Sequence, residues 1–170
     1  MAQNTRTVTM KGNPLPLEGT LPEIGKPAPD FEASANDLSP VTLGSLKGKT
    51  LVLVSVPSLD TPVCDMEVRR FNKEAANLDD NVKIVTLSMD LPFAQARWCG
   101  AAGVEQVRTL SDYRTASFGQ AYGVLIGALR LLARAIFIVD ADGILRYCQV
   151  VPEVTSEPNY EDVLAALKNL

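Results

Sequence analysis

Residues 51–64 read Leu51-Val52-Leu53-Val54-Ser55-Val56-Pro57-Ser58-Leu59-Asp60-Thr61-Pro62-Val63-Cys64, and both halves of that stretch carry a structural signal. The run from Leu51 to Val56 is continuous, β-branched and leucine-rich, the pattern of a strand buried on both faces of a parallel sheet. Helix-start signals follow at once. Thr61 is a favoured N-cap residue, and Pro62 suits the first helical position, where its missing N–H costs nothing. Beyond them Val68, Phe71, Ala75 and Leu78 recur at spacings of three and four, while Arg69, Arg70, Lys73 and Glu74 fall off the stripe. That spacing predicts an amphipathic helix over 62–78. A buried strand feeding such a helix is the opening unit of an α/β fold.

Towards the C-terminus the same alternation continues. The pattern predicts a strand over Val82–Met89, a helix over Pro92–Ala101, a strand over Val107–Leu110 and a helix over Tyr113–Tyr122. An apolar strand at Ala135–Val139, a turn at Asp142-Gly143 and a strand at Ile144–Val151 form a terminal hairpin, and a helix over Tyr160–Lys168 carries Val163, Leu164 and Leu167 on one side. Towards the N-terminus, Val8 and Met10, a turn at Gly12-Asn13-Pro14, and Leu15 and Leu17 predict a short β-hairpin. A Pro/Gly-rich stretch from Ile24 to Pro29 and a strand at Phe31–Ala33 follow. Strands alternating with helices and closed by a hairpin imply a mixed sheet covered by helices on both faces. At 170 residues the expectation is one domain spanning 1–170.

Composition narrows the function. Apolar residues at 46% and charged residues at 21% match a globular chain and exclude a disordered one. Sixteen basic against twenty acidic residues give a net charge of −4, with no basic patch of the kind nucleic acid requires. No stretch approaches 18 uninterrupted apolar residues, and Met1–Gly19 lacks the apolar run of a signal peptide, so the expectation is a soluble, cytoplasmic protein with no membrane partner. The chain has no histidine, which removes Ser-His-Asp and Cys-His pairs, the HExxH zinc site and any imidazole base. It has three cysteines, too few for a disulfide scaffold.

Cys64 falls at the third position of the predicted helix, where first-turn N–H groups lack acceptors and the helix dipole favours an anion. It is a candidate nucleophile; against that stand the nearby Asp60, Asp65 and Glu67, and the alternative that Cys64 merely extends the apolar stripe. Arg134 opens an otherwise apolar strand and is either solvated at a sheet edge or aimed at an anion. In the second role its planar fork suits both a thiolate and a peroxide oxygen. Cys99 lies near the end of another predicted helix and is either a packing residue or a distant disulfide partner; no CxxC pair is present. Cys148, inside a predicted strand, reads as packing. The cysteine spacings lack a zinc signature, so no metal or cofactor is expected.

Pro57-x-x-x-Thr61-x-x-Cys64 matches the P-x-x-x-[TS]-x-x-C motif of peroxiredoxins. The chain resembles their atypical two-cysteine members of the bacterial thiol peroxidase type along nearly its whole length. The likeness runs through Cys64–Asn72, Ser88–Gly100, Leu110–Arg114, Leu132–Ala135 and Thr155–Tyr160. It departs from them at Gly123–Ala133, which is shorter and more apolar. The resemblance implies a thioredoxin-like fold with an N-terminal hairpin and a homodimer that reduces hydrogen peroxide or alkyl hydroperoxides and is recycled by thioredoxin. It implies Cys64 as peroxidatic cysteine, Cys99 as resolving cysteine, Thr61 and Arg134 as polar partners donating to the peroxide, and Pro57 as a shield for the thiolate. Cys64 and Cys99 sit at the ends of different predicted helices, so local unravelling during the cycle is expected. The rival readings are a general thiol-disulfide oxidoreductase and a non-catalytic redox sensor.

Overall fold

A computed structural model describes residues 6–170. The elements are β1 (Thr7–Met10), β2 (Asn13–Pro16), β3 (Glu32–Ser34), β4 (Pro40–Thr42), β5 (Thr50–Ser55), α1 (Pro62–Ala75), β6 (Val82–Ser88) and α2 (Pro92–Ala102). They continue as β7 (Val107–Ser111), α3 (Ser117–Ala121), β8 (Leu125–Ile126), β9 (Leu131–Leu132), β10 (Ala135–Val139), β11 (Leu145–Val150) and α4 (Tyr160–Lys168). A seven-stranded sheet runs in the order β11-β10-β5-β6-β7-β3-β4. Its centre, β5-β6-β7, is parallel, and the flanking pairs are antiparallel. This is a thioredoxin-like mixed sheet, as expected from the alternation of elements.

The pleat of β5 explains the two cores. Leu51 and Leu53 point into one, with Val85, Leu87, Leu110, Phe137 and the aromatic group Phe31, Phe118 and Tyr122. Val52, Val54 and Val56 point into the other, with Ile84, Val107, Ile136, Ile138 and the inner faces of α1 and α4, while Trp98 and Ala102 of α2 pack against its margin. Alternate residues of one continuous apolar run thus face opposite layers, which is why the run shows no polar face. The first layer is closed by α3 and by two hairpins, so helices cover both faces but unequally.

Several boundaries differ from expectation. The first hairpin turns at Lys11-Gly12, both at positive φ, with Met10 opposite Asn13; its turn lies one residue earlier than the sequence implied. Helix α1 ends at Ala75, although Leu78 still packs on its core. The helix expected over 113–122 shrinks to Ser117–Ala121. The cause is Asp112, whose carboxylate accepts the N–H groups of Phe118 (2.9 Å) and Gly119 (2.8 Å) and so starts the helix late. Ala116 just before it is left-handed, at φ 53°. The apolar link before Arg134 forms the small hairpin β8–β9, and β4 was not foreseen.

Candidate active site

The sheet topology brings Cys64 and Arg134 together across 70 residues. Strand β5 ends at Ser55, which pairs with Ala135 at the start of antiparallel β10. The chain leaving β5 becomes the α1 turn, and the residue entering β10 is Arg134, so both arrive at the same end of the sheet. Ser55 tightens the junction by donating its hydroxyl to the carbonyl of Ala133 (2.7 Å).

Cys64 is wholly buried at the third position of α1. The first backbone bond of that helix is donated by Asp65 to Thr61 (2.9 Å), and the N–H groups of Val63 and Cys64 have no acceptor among the described residues. Free first-turn donors next to a sulfur are the arrangement that stabilises an anion. Thr61 occupies the N-cap position, but its side chain makes no capping bond. Its hydroxyl donates instead to the Ser58 carbonyl (2.8 Å), which leaves Thr61 with acceptor lone pairs, whereas the resemblance implies a donor. Pro57 is buried between the end of β5 and this turn.

Arg134 is 1% exposed, which settles the choice left open by the sequence: it is not solvated at an edge. Its Nη2 donates to Cys64 Sγ (3.3 Å) and to the Val154 carbonyl (2.9 Å), and Nε donates to the same carbonyl (3.1 Å). Nη1 donates to Glu67 Oε2 in a buried ion pair. Of the five guanidinium N–H groups, one on Nη1 has no acceptor among the described residues. Burial opposes the charge of Arg134, yet Glu67 and the Cys64 sulfur beside it shift its pKa upward, so it remains a cation.

Glu67 is the residue that sequence reasoning placed in the wrong role. The sequence sets it among the like charges opposing the thiolate; in the structure it is fully buried one turn beyond Cys64 and its carboxylate pairs with Arg134. Burial pushes the Glu67 carboxyl above its ordinary range, against the pull of Arg134. The sequence signal was a carboxylate beside Val68 on the apolar stripe, which demands a buried partner.

Asp90, just beyond β6, was also missed as a part of the site. It accepts the Ser58 hydroxyl (2.7 Å), the Leu59 N–H (2.9 Å) and the Ser88 hydroxyl (2.6 Å), and thereby clamps the turn that presents Thr61. The carbonyl that steadies Arg134 is set by β1, since Thr9 donates to the Pro152 carbonyl and accepts from the Val154 N–H, both at 2.8 Å.

Cys99 is not part of this cluster. It lies on α2, with its sulfur 3.6 Å from the Thr109 hydroxyl on β7, two strands beyond β5. All three cysteines are free. Cys148, on β11, is packed against the first core, and burial pushes its thiol up to about 11, against a weaker pull from Arg6. At neutral pH it is a protonated thiol and a poor nucleophile. No helix among the described residues is long and apolar enough to cross a membrane.

Comparison with known proteins agrees with this geometry. A family model described as Redoxin matches residues 23–164. The thiol peroxidase of Halalkalibacterium halodurans is 54% identical over 162 residues, covering 95% of this chain and 97% of the relative. That of Bacillus subtilis is 50% identical over 163 residues, covering 96% and 97%. A crystal structure of a peroxiredoxin-like protein from Aquifex aeolicus matches with a TM-score of 0.89 at 44% identity, with 96% of each chain covered. A buried thiol under an arginine, on this sheet and with these relatives, has one consistent assignment: the chain belongs to the redoxin family, among the thiol peroxidases.

Proposed function

We propose that Cys64 is the peroxidatic and Cys99 the resolving cysteine of a cytoplasmic, thioredoxin-recycled enzyme acting on hydrogen peroxide and alkyl hydroperoxides. The observation that carries this reading is the hydrogen bond from Arg134 to the buried Cys64 sulfur at the start of α1. A cation and unpaired first-turn N–H groups surround the sulfur that would attack.

The thiolate of Cys64 attacks one peroxide oxygen. An S–O bond forms, the O–O bond breaks, and hydroxide or alkoxide leaves and takes up a proton. The peroxide is reduced by two electrons and Cys64 becomes a sulfenic acid. Thr61, its own hydrogen given to Ser58, accepts the hydrogen bond of the peroxide hydroxyl. The spare N–H of Arg134 and the first-turn backbone donors take up charge on the leaving oxygen. Pro57, lacking an N–H and buried beside the turn, keeps water from the sulfur. The Cys99 thiolate then attacks the sulfenic sulfur: an S–S bond forms, the S–O bond breaks, and hydroxide leaves as water. Thioredoxin reopens the disulfide by thiol exchange. No step uses a metal or cofactor. The resemblance extends the reading to a homodimer, checked by sedimentation as a particle of twice the chain mass.

Peroxide-dependent NADPH consumption with thioredoxin and its reductase tests the assignment. Turnover in the wild type and its loss in Cys64→Ser are expected; unchanged turnover in that variant would refute it. Cys99→Ser should still consume one equivalent of peroxide but stop recycling and overoxidise at Cys64.

A further inference from the structure

The two helices that carry Cys64 and Cys99 are fastened to each other by the residues next to those cysteines. Asp65 follows Cys64, and Trp98 precedes Cys99. The indole N–H of Trp98 donates to Asp65 Oδ1 (3.0 Å), while Asp65 Oδ2 accepts from Arg69 Nε (2.8 Å). Arg69 in turn donates through Nη1 to the carbonyl of Ala102, the last residue of α2 (3.1 Å), and its guanidinium lies 5.8 Å from the centre of the Trp98 ring. An open cavity of about 350 Å³ separates the start of α1 from the end of α2. It is lined by Leu59, Thr61, Pro62, Ala101 and these latch residues, so little apolar packing joins the helices on this side.

The first turn of α1 itself makes few capping bonds. Thr61 supplies no capping bond, and the first two free N–H groups have no acceptor. At the other end, Ala102 is one of the terminal carbonyls that no helical N–H can reach, and Arg69 is its partner. The two sulfurs meanwhile face different groups, Arg134 for Cys64 and Thr109 for Cys99. Both sulfurs are free, and joining them requires their Cα atoms to come within roughly 7 Å.

We propose that Asp65, Arg69 and Trp98 form a latch that holds the cysteine-bearing ends of α1 and α2 apart during peroxide attack and sets the rate at which they open to form the disulfide. The proposal rests on the assignment of Cys64 and Cys99 as the reacting pair. The three residues are positioning residues: they touch neither peroxide nor sulfur in the steps above. Their contacts act after the sulfenic acid has formed, when the Cys99 thiolate must reach the Cys64 sulfur and displace hydroxide. A slow latch leaves the sulfenic acid exposed to a second peroxide, so the latch also sets the sensitivity to overoxidation. Losing a hydrogen bond to a charged group shifts an opening equilibrium by roughly tenfold or more.

Trp98 is the chain's single tryptophan, so its fluorescence reports on the latch directly. The test uses the full chain, rapidly mixed with hydrogen peroxide. Fluorescence is followed in the wild type and in Arg69→Met, and samples of these and of Trp98→Phe are quenched with an alkylating reagent for mass analysis. Trp98→Phe keeps the ring packing and the charge but removes the donor; Arg69→Met keeps the indole and removes the cation. The expected result is a rate of Cys64 oxidation within about twofold of wild type. Disulfide formation should be about tenfold faster, with a matching rise in the peroxide concentration that produces half-maximal sulfinic acid. In the wild type the fluorescence change should coincide with disulfide formation rather than with the first oxidation.

A merely structural role would lower the melting temperature and leave the two rates in their wild-type ratio. That ratio unchanged in both variants, with the wild type forming a Cys64–Cys99 disulfide, overturns the latch alone. A wild type that forms no such disulfide overturns the cysteine assignment, and the latch with it.

Discussion

Replacing Arg134 by lysine keeps a positive charge near Cys64 but removes the planar fork that reaches Val154, Glu67 and the sulfur at once. The oxidation rate of Cys64 in that variant is expected to fall by about 10²-fold, as for the loss of a transition-state donor, measured by single-turnover reaction with peroxide. Arg134→Met strips Glu67 of its partner inside the core, and breaking a buried pair in this way costs about 3–5 kcal/mol in a denaturant titration. Cys148→Ser should leave thioredoxin-linked turnover within about twofold of wild type, since a protonated, packed thiol has no part in the cycle. Cys64 was legible as a candidate because Thr61-Pro62 fixes where the helix begins, and Arg134 because a lone cation in an apolar strand needs an explanation. Glu67 was not legible in its true role. Its partner is 67 positions away, and only the pairing of β5 with β10 brings the two together.

Among the elements, the junction between β7 and α3 has a pH signature. Burial pushes the Asp112 carboxyl up to about 6 despite the N–H groups of Gly119 and Phe118 that it accepts. In the unfolded chain it returns to its ordinary value near 3.8. Between those values the folded protein retains a proton that the unfolded chain has released. The stability contributed by this residue is therefore full below pH 3.8, is lost as pH rises towards 6, and is flat above that. Asp112→Asn should flatten the fall in unfolding free energy over that window, as measured by denaturant titration at several pH values; an unchanged slope would show that the carboxyl does not titrate there. The same carboxylate explains why the helix foreseen from Tyr113 begins at Ser117. An aspartate ahead of an apolar segment signals a cap, but not how many turn residues separate it from the helix. The long elements were readable because their periodicity covers many residues. The two-residue strands β8 and β9 were not, because pairing across a tight turn defines them and no pattern spans them.

For the whole molecule, both cores are built on the same central strands, and β1 reaches the loop that carries the carbonyl partner of Arg134. If residues 1–170 make up one domain, as we propose, unfolding in urea should be a single transition that coincides by Trp98 fluorescence and by far-UV circular dichroism; separated midpoints would divide the chain into two units. The alternation of the long elements and the mixed sheet followed from the sequence. The unequal covering of the two faces did not, since hairpins and helices serve equally well to bury an apolar face. The central claim is that Cys64 takes the oxidising equivalent and Cys99 completes the pair. Mass-spectrometric mapping of the reduced chain after one equivalent of peroxide tests this most directly. The account predicts a Cys64–Cys99 disulfide with Cys148 still a thiol; a bridge that includes Cys148, or a Cys64 left unmodified, would contradict it.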